Sequence, residues 1–378
     1  MKKIAIVNRT NLKNYGSVLQ VYALCEAVKK LGYDVEAIWE TGNLSKNYDF
    51  RLNKIISTWY KLITHPKLLK STFSNIRYVQ QHIISEQTIQ MFDSFVNSHI
   101  KRTFYPAKMM KQHKVGNAYD KFICGSDQIW CTTTLYVDPL MYLRFAPKEK
   151  RIAYAPSLGR DYIPDYNKRK MKKYIEAIPD VSVREYAGQK LILELTGRAV
   201  PVVLDPTLLI PREEWDLIKK VNSGNEEYIV CYFLNTPTAE TQQKLLRFIK
   251  KSGKTVIALN SRLEHIENEA TVLYPDCGPQ EFIGYISNAE CVLTDSYHGM
   301  LFSIIYHRRF WSIAREYGEF DQSSRQLSVL EMLGLNERYC RTQDIITDDT
   351  VDYETVQKRI NSETEKSLDY LRRALEKQ

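Results

Sequence analysis

The first forty residues carry a pattern of apolar positions that is typical of a strand, a helix and a second strand. Residues 3–7 form a short β-rich run, and apolar side chains then recur at helical spacing from Val18 to Leu31. Gly32 follows where a C-cap glycine belongs, and residues 34–39 read as the next strand. This order predicts a right-handed βαβ unit within a parallel sheet.

The same kind of pattern continues along the chain and restarts once. Further buried strands are predicted at residues 121–124, 151–154, 181–183 and 200–204, and then at 227–234, 254–259, 270–274, 291–294 and 309–313. We therefore predict an α/β protein with two Rossmann-like, doubly wound domains that face a cleft. The predicted domains are residues 1–207, with a basic helical insertion at about 50–118, and residues 208–378, whose terminal helix at about 352–378 packs back.

Composition and motif searches narrow the possible chemistry. The chain is 44% hydrophobic and 26% charged, as in ordinary globular proteins, and no apolar run is long enough for a signal peptide or a membrane span. We therefore expect a cytoplasmic protein.

The dinucleotide fingerprint, the P-loop, zinc-ligand spacing and the G-x-S-x-G motif are all missing from the sequence. No cofactor, no metal and no nucleic-acid partner are expected.

The net charge of +8 is unevenly distributed. Residues 50–85 contain six Lys or Arg side chains and no Asp or Glu, with Trp59, Tyr60, Phe73 and Tyr78 between them. A stretch of this kind at 51–85 can rest on an anionic membrane surface or beside a phosphate-bearing partner. The alternative is a solvated insertion between two elements.

In open α/β sheets the ligand lies beyond the carboxyl ends of the strands, so the segments that follow the strands are examined first. After the first strand, Asn14 and Gly16 begin a helix and either contact a ligand or simply cap that helix. After the strand at 121–124, Asp127, Gln128 and Trp130 combine a carboxylate, an amide and an aromatic ring, which suits sugar recognition. The alternative is that Asp127 caps a helix and Trp130 belongs to the core.

Three later segments offer cations and helix N-termini. The strand at 181–183 delivers Arg184, whose guanidinium suits bidentate capture of a carboxylate or phosphate, although an ion pair with a structural acid is the alternative. Ser296 and His298 follow the strand at 291–294 at the start of a helix, where an anion is favoured and an imidazole can donate a proton, although a structural histidine is the alternative. Arg325 precedes another helix and is either a ligand or a surface charge.

The motifs together resemble those of the polysaccharide pyruvyl transferase family, which is similar in architecture to GT-B glycosyltransferases. Five segments occur in the family's order: NYGSVLQ at 14–20 with YAL at 22–24, GSDQIW at 125–130, SVRE at 182–185, LDPT at 204–207 and DSYHG at 295–299. The resemblance implies transfer of an enolpyruvyl-derived group from phosphoenolpyruvate to two hydroxyls of a sugar in a surface or capsular polysaccharide. The products are a cyclic pyruvate ketal and phosphate, and phosphoenolpyruvate serves as a co-substrate.

Roles for individual residues follow from that resemblance as expectations. We expect His298 to act as general acid and Asp127 as base, and Arg184, Ser296, His298 and Arg325 to bind the donor. The acceptor wall is expected to contain Asn14, Tyr15, Gln20, Gln128 and Trp130. If the acceptor is a lipid-linked oligosaccharide, the basic stretch would hold the enzyme at the inner face of the cell membrane. The alternatives are a GT-B glycosyltransferase that uses a nucleotide sugar and a non-catalytic assembly partner.

Overall fold

The computed structural model describes residues 1–8, 14–39, 50–66, 68, 85–105, 115–221, 227–315, 323–341, 346–347 and 349–377. Residues 9–13 of the loop after the first strand, and most of the basic stretch beyond residue 66, lie outside the described residues. Two parallel sheets form the framework, so the predicted fold class, an α/β protein with two Rossmann-like domains, is confirmed.

The first sheet has the strand order β3-β2-β1-β4-β5-β6, which is a doubly wound order. Its strands are β1 Lys3–Asn8, β2 Asp34–Trp39, β3 Arg102–Thr103, β4 Lys121–Cys124, β5 Arg151–Ala153 and β6 Asp180–Val181. In the register, Ile4 of β1 lies between Val35 of β2 and Lys121 of β4. The helices of this half are α1 Tyr15–Lys30, α2 Phe50–Thr64, α3 Glu86–His99, α4 Asp165–Ile175 and α5 Tyr186–Thr196.

The second sheet repeats this topology, with the order β12-β11-β10-β7-β8-β9. Its strands are β7 Tyr228–Tyr232, β8 Thr255–Leu259, β9 Val272–Leu273, β10 Cys291–Thr294, β11 Arg309–Ile313 and β12 Tyr339–Cys340. The helices that follow α5 are α6 Arg212–Ile218, α7 Ala239–Ser252, α8 Glu264–Glu267, α9 Pro279–Asn288, α10 Tyr297–Ile305, α11 Ser324–Leu333 and α12 Tyr353–Glu376.

One predicted strand does not form. Residues 200–204 form no strand, and their contact with the first sheet is a single parallel bridge between Val183 and Val202. Pro201 explains this, because a proline has no N–H to donate to a continuing ladder.

A shared core joins the two halves. Tyr15 at the start of α1 stacks on Phe282 of α9 with ring centroids 4.5 Å apart, and it also contacts Phe92 of α3. Helix α12 contacts both halves, since Tyr353 Oη donates to the Arg308 carbonyl and Tyr370 Oη donates to Ala153 O at 3.0 Å. Because the halves share one packed interface, side chains from both sheets are held in fixed positions beside each other. The predicted domain boundary at residue 207 stays a prediction.

No helix within the described ranges has the combination of length and apolar character that crossing a bilayer requires.

Candidate active site

The first part of the site lies at the point where the first sheet reverses its winding, between β1 and β4. Asn8 Nδ2, at the end of β1, donates to the carbonyl oxygens of Gly125 at 3.0 Å and Ser126 at 3.3 Å. From α1, Gln20 Oε1 accepts from Ser126 N at 3.1 Å. Gly125 has a φ of +132°, and a side chain there would overlap the carbonyl of Tyr154. These contacts fix the loop that carries Asp127.

Asp205 is the buried centre of the site. Its Oδ2 accepts from Arg184 Nη1 at 2.6 Å and from Ser126 Oγ at 3.2 Å, and it lies 3.6 Å from His298 Nε2. Its Oδ1 accepts from Thr207 N and Thr207 Oγ1 at 3.0 and 2.9 Å. Burial acts to raise the pKa of Asp205, but the neighbouring His298 and Arg184 and the Thr207 N–H outweigh it and hold the pKa far below its ordinary value. This carboxylate therefore stays ionised and ties together side chains from both halves.

His298 lies in the first turn of α10, where the second sheet also reverses its winding. The helix begins at Tyr297 and is capped by Ser296, whose Oγ accepts from Gly299 N at 3.3 Å. Gly16 of α1 packs on the imidazole so closely that an added Cβ would lie 1.9 Å from Nδ1. With Nδ1 against Gly16, Nε2 faces Asp205. Position 16 in the NYGSVLQ motif therefore has to be glycine, because any side chain there would overlap His298 of the DSYHG motif.

Tyr297 has two buried arginines near its ring. The guanidinium carbon of Arg184 lies 4.2 Å from the centre of the Tyr297 ring, and that of Arg325 lies 6.0 Å from it. Burial lowers the pKa of Arg325 to about 10, and the nearby cations Arg184 and Arg315 act in the same direction. The positive charges of these arginines repel one another, and a negatively charged ligand beside them would relieve that repulsion.

Several polar atoms of this cluster are buried without a hydrogen-bond partner among the described residues. They are Nε and Nη2 of Arg184, Nε2 of His298, Nε of Arg325, the hydroxyl of Tyr297 and one acceptor, Oε2 of Glu185. Buried donors are normally satisfied, so a concentration of unpaired donors at one place indicates a site for a ligand that accepts hydrogen bonds. Four of the six atoms are nitrogens of cationic or titratable groups, which favours an anion.

The predicted acceptor wall requires correction at three positions. The Trp130 ring is 1% exposed, its Nε1 donates to Met141 O at 2.9 Å, and the ring stacks on Tyr142. Tyr15 is buried in the shared core, where its hydroxyl donates to Cys277 O at 3.1 Å. Gln20 is fully buried and supports the loop at Ser126. These three side chains position the site and offer no surface to a sugar.

Three other predicted residues make local contacts, and the contact of Asn14 is the helix cap that the sequence left open as its alternative. Asn14 caps α1, because its Oδ1 accepts from Ser17 N at 3.0 Å, and Ser296 caps α10. Gln128 is half-buried beside Gly159, where an added Cβ would lie 2.6 Å from its Nε2. Among the described residues, no group of His, Cys, Asp and Glu side chains has an arrangement that could hold a metal ion.

The structure adds Asp205, Tyr297 and Glu185 to the residues of interest. Glu185 Oε1 accepts from Leu158 N at 2.7 Å and from Ser157 Oγ at 3.0 Å, so it fixes the chain beyond β5. All three lie inside the sequence motifs, and Asp205 and Tyr297 adjoin the predicted residues in space. Their positions inside the motifs could have drawn attention to these three residues from the sequence. The role of each one, however, depends on contacts that only the folded chain shows.

Comparisons with solved structures bear on the fold. Among solved structures, a UDP-N-acetylglucosamine 2-epimerase is similar to this chain with a TM-score of 0.50 at 10% identity, covering 100% of this chain and 90% of the other. The S. aureus MnaA–UDP co-structure is similar with a TM-score of 0.49 at 11% identity, covering 96% of this chain and 88% of the other. At this identity the likeness to the epimerase shows the fold, which is GT-B-like.

A search of curated proteins gives no match. The sequence profile described as "Polysaccharide pyruvyl transferase" matches residues 14–317, a span that contains every motif and every residue of the buried cluster except Arg325. The chain belongs to the polysaccharide pyruvyl transferase family.

Proposed function

We propose that this protein transfers the enolpyruvyl-derived group of phosphoenolpyruvate to two hydroxyls of one sugar in a surface polysaccharide, forming a pyruvate ketal and releasing phosphate. Family membership supports a pyruvyl transferase. The observation that carries the proposal is the group of unpaired donors on Arg184, His298 and Arg325, buried together around Tyr297. Phosphoenolpyruvate is a small molecule with a carboxylate and a phosphate, and both groups accept several hydrogen bonds.

The donor clamp is built from side chains of both halves. Arg184 Nη1 is engaged by Asp205, which leaves Nη2 and Nε for the ligand. Arg325 lies near the same ring, with its guanidinium carbon 6.0 Å from the centre of Tyr297. The first turn of α10 adds the positive end of a helix dipole, which favours an anion at that end. Two guanidinium groups and a helix N-terminus match the two charged groups of the donor.

The proposed reaction begins when His298 Nε2 gives its proton to the methylene carbon of phosphoenolpyruvate, producing a methyl group and an oxocarbenium-like centre. One sugar hydroxyl attacks that centre and gives its proton to a base. The base then returns a proton to His298. The bond from carbon to the phosphate oxygen then breaks, and the second hydroxyl closes the ring while its proton leaves with the phosphate. Two hydroxyl protons are lost, one to the methyl group and one to phosphate, so the reaction balances without a redox step.

Asp127 is the carboxylate proposed as base. Its Oδ1 lies 3.8 Å from Arg184 Nη2, and its side chain is 24% exposed, whereas the side chain of Asp205 is fully buried. A base must reach the acceptor hydroxyl, so the partly exposed carboxylate is the one suited to this role. Asp205 instead keeps Arg184 and His298 oriented.

Ligand-induced stabilisation tests the choice of donor. Phosphoenolpyruvate at roughly 100 times its Kd should stabilise the protein by ~2.7 kcal/mol, which for a chain of 378 residues corresponds to a rise in Tm of roughly 3–4 °C. UDP- and GDP-sugars should give no comparable rise. Arg184→Gln should abolish the shift, whereas Arg372→Gln, which changes an exposed arginine of α12, should retain it. Stabilisation by a nucleotide sugar but not by phosphoenolpyruvate would support a glycosyltransferase instead.

A further inference from the structure

Helix α2 carries a group of large apolar side chains on its outer face. Its five members are each between 52% and 72% exposed: Ile55, Ile56, Trp59, Tyr60 and Ile63. At 100° per residue, these positions fall within about 140° of one side of the helix. We call this group the α2 apolar face. Soluble proteins rarely expose several large apolar side chains together, so such a face indicates an interaction site.

The opposite side of α2 is fixed to the first half of the protein. Lys61 is 6% exposed, and its Nζ donates to Asn167 Oδ1 at 2.6 Å and lies 5.1 Å from the centre of the Tyr166 ring. Burying a lysine costs free energy unless its ammonium group is paired, so these contacts hold the helix in one orientation. The α2 apolar face is consequently directed away from the body of the protein.

Asn167, which holds Lys61 of α2, also contacts the segment that follows the proposed base. Asn167 Nδ2 donates to the carbonyl oxygens of Thr132 at 2.6 Å and Thr134 at 2.9 Å. Thr132 lies five residues beyond Asp127, in the segment that leaves the end of β4. Helix α2 is therefore packed on the continuation of the loop that carries the proposed base.

We propose that the α2 apolar face docks on a lipid bilayer that contains anionic lipids. Charge complementarity selects this occupant, because residues 50–85 contain no acidic residue and five Lys or Arg residues besides the buried Lys61. Trp59 and Tyr60 are the residue types that favour the boundary between headgroups and acyl chains. A helix with this composition lies in the plane of the interface and buries its apolar side.

This proposal rests on the proposed function in one respect, the nature of the acceptor. Docking through α2 would present the loop of Asp127 to a sugar that is attached to a lipid in the same bilayer. The docking itself requires neither donor nor acceptor, so it can be tested separately from the transfer reaction.

Vesicle flotation of the full chain tests the docking. The protein should float with phosphatidylcholine vesicles that contain phosphatidylglycerol and should bind much less to phosphatidylcholine alone, and added salt should weaken the binding. The double variant Trp59→Glu/Ile63→Glu should reduce the partition coefficient by roughly tenfold or more for each apolar side chain removed. Leu217→Glu changes an 85% exposed leucine on α6 and should bind as the unaltered protein does.

Three results would overturn the proposal: no flotation of the unaltered protein with anionic vesicles, equal binding by the double variant, or a dimer that the double variant dissociates while vesicles do not bind. Thermal unfolding of each variant checks its fold. A protein that floats but is not stabilised by phosphoenolpyruvate would contradict the proposed reaction and leave the docking intact. The reverse result would contradict only the docking.

Discussion

Replacing His298 by glutamine should lower kcat by roughly 10²–10⁴-fold, because the variant removes the proton donor for the methylene carbon of phosphoenolpyruvate. Glutamine has a similar reach and offers an uncharged N–H in place of the imidazole, so we expect smaller changes in stability and in donor KM than in kcat. The measurement is phosphate release from phosphoenolpyruvate with lipid-linked glycan extracted from the source membranes as the acceptor.

The matched control for that variant is His265→Gln, which changes an exposed histidine on α8 in the second half. It should retain normal turnover. If His298→Gln also keeps near-normal turnover, the imidazole is not the acid, and the proton must come from another group or from water.

The second large effect is expected at Arg184. Lysine retains one positive charge for Asp205, with which Arg184 Nη1 pairs at 2.6 Å, but it leaves nothing at the positions of Nη2 and Nε. A hydrogen bond to a charged group contributes about 1.5–3 kcal/mol, so Arg184→Lys should raise the donor KM by roughly 10–100-fold. Steady-state kinetics with phosphoenolpyruvate as the varied substrate measure this change.

A control arginine separates donor binding from structural support. Arg198 is partly buried in the first half and donates to the carbonyls of Ile178 and Pro179 at 2.8 and 2.7 Å. Arg198→Lys should lower Tm while leaving the donor KM unchanged. An unchanged KM in Arg184→Lys would instead make Arg184 a structural partner of Asp205 and remove it from the clamp.

The sequence predicted the fold class because its main strands are apolar and well separated. The strands β1, β4, β7 and β10 form the centres of their sheets and are buried apart from the first residues of β1 and β7, so their hydrophobic pattern is strong. The edge strands Arg102–Thr103 and Tyr339–Cys340 were not predicted. A two-residue pairing at an edge has almost no periodicity of its own, and tertiary packing determines where it forms.

The position of the site could also be predicted, but its internal contacts could not. Asp127, Arg184 and His298 follow three different strands, and the rule that ligands lie at the carboxyl ends of parallel strands correctly brings them together. For Arg184 the sequence left open a ligand contact and an ion pair. The structure shows the ion pair with Asp205 and also leaves a second guanidinium nitrogen without a hydrogen bond.

The errors in the acceptor wall have a common physical origin. Trp130 stands in a polar segment that reads as a binding loop, but Asp127 has a left-handed backbone with a φ of +66°, and the ring beyond it lies against Tyr142 in the core. Tyr15 and Gln20 belong to α1, whose contacts come from both halves of the protein. Local sequence shows that such residues matter, but it does not give the direction of their side chains.

The central claim is that one doubly charged molecule is held between Arg184 and His298. The most direct measurement is a crystal structure of the protein soaked with phosphoenolpyruvate. We predict density in which an oxygen of the carboxylate or phosphate accepts a hydrogen bond from Arg184 Nη2 at about 3 Å and the methylene carbon lies against His298 Nε2, the atom that gives it a proton. Phosphoenolpyruvate bound elsewhere, with both of those nitrogens still lacking a ligand contact at saturating concentration, would contradict the account.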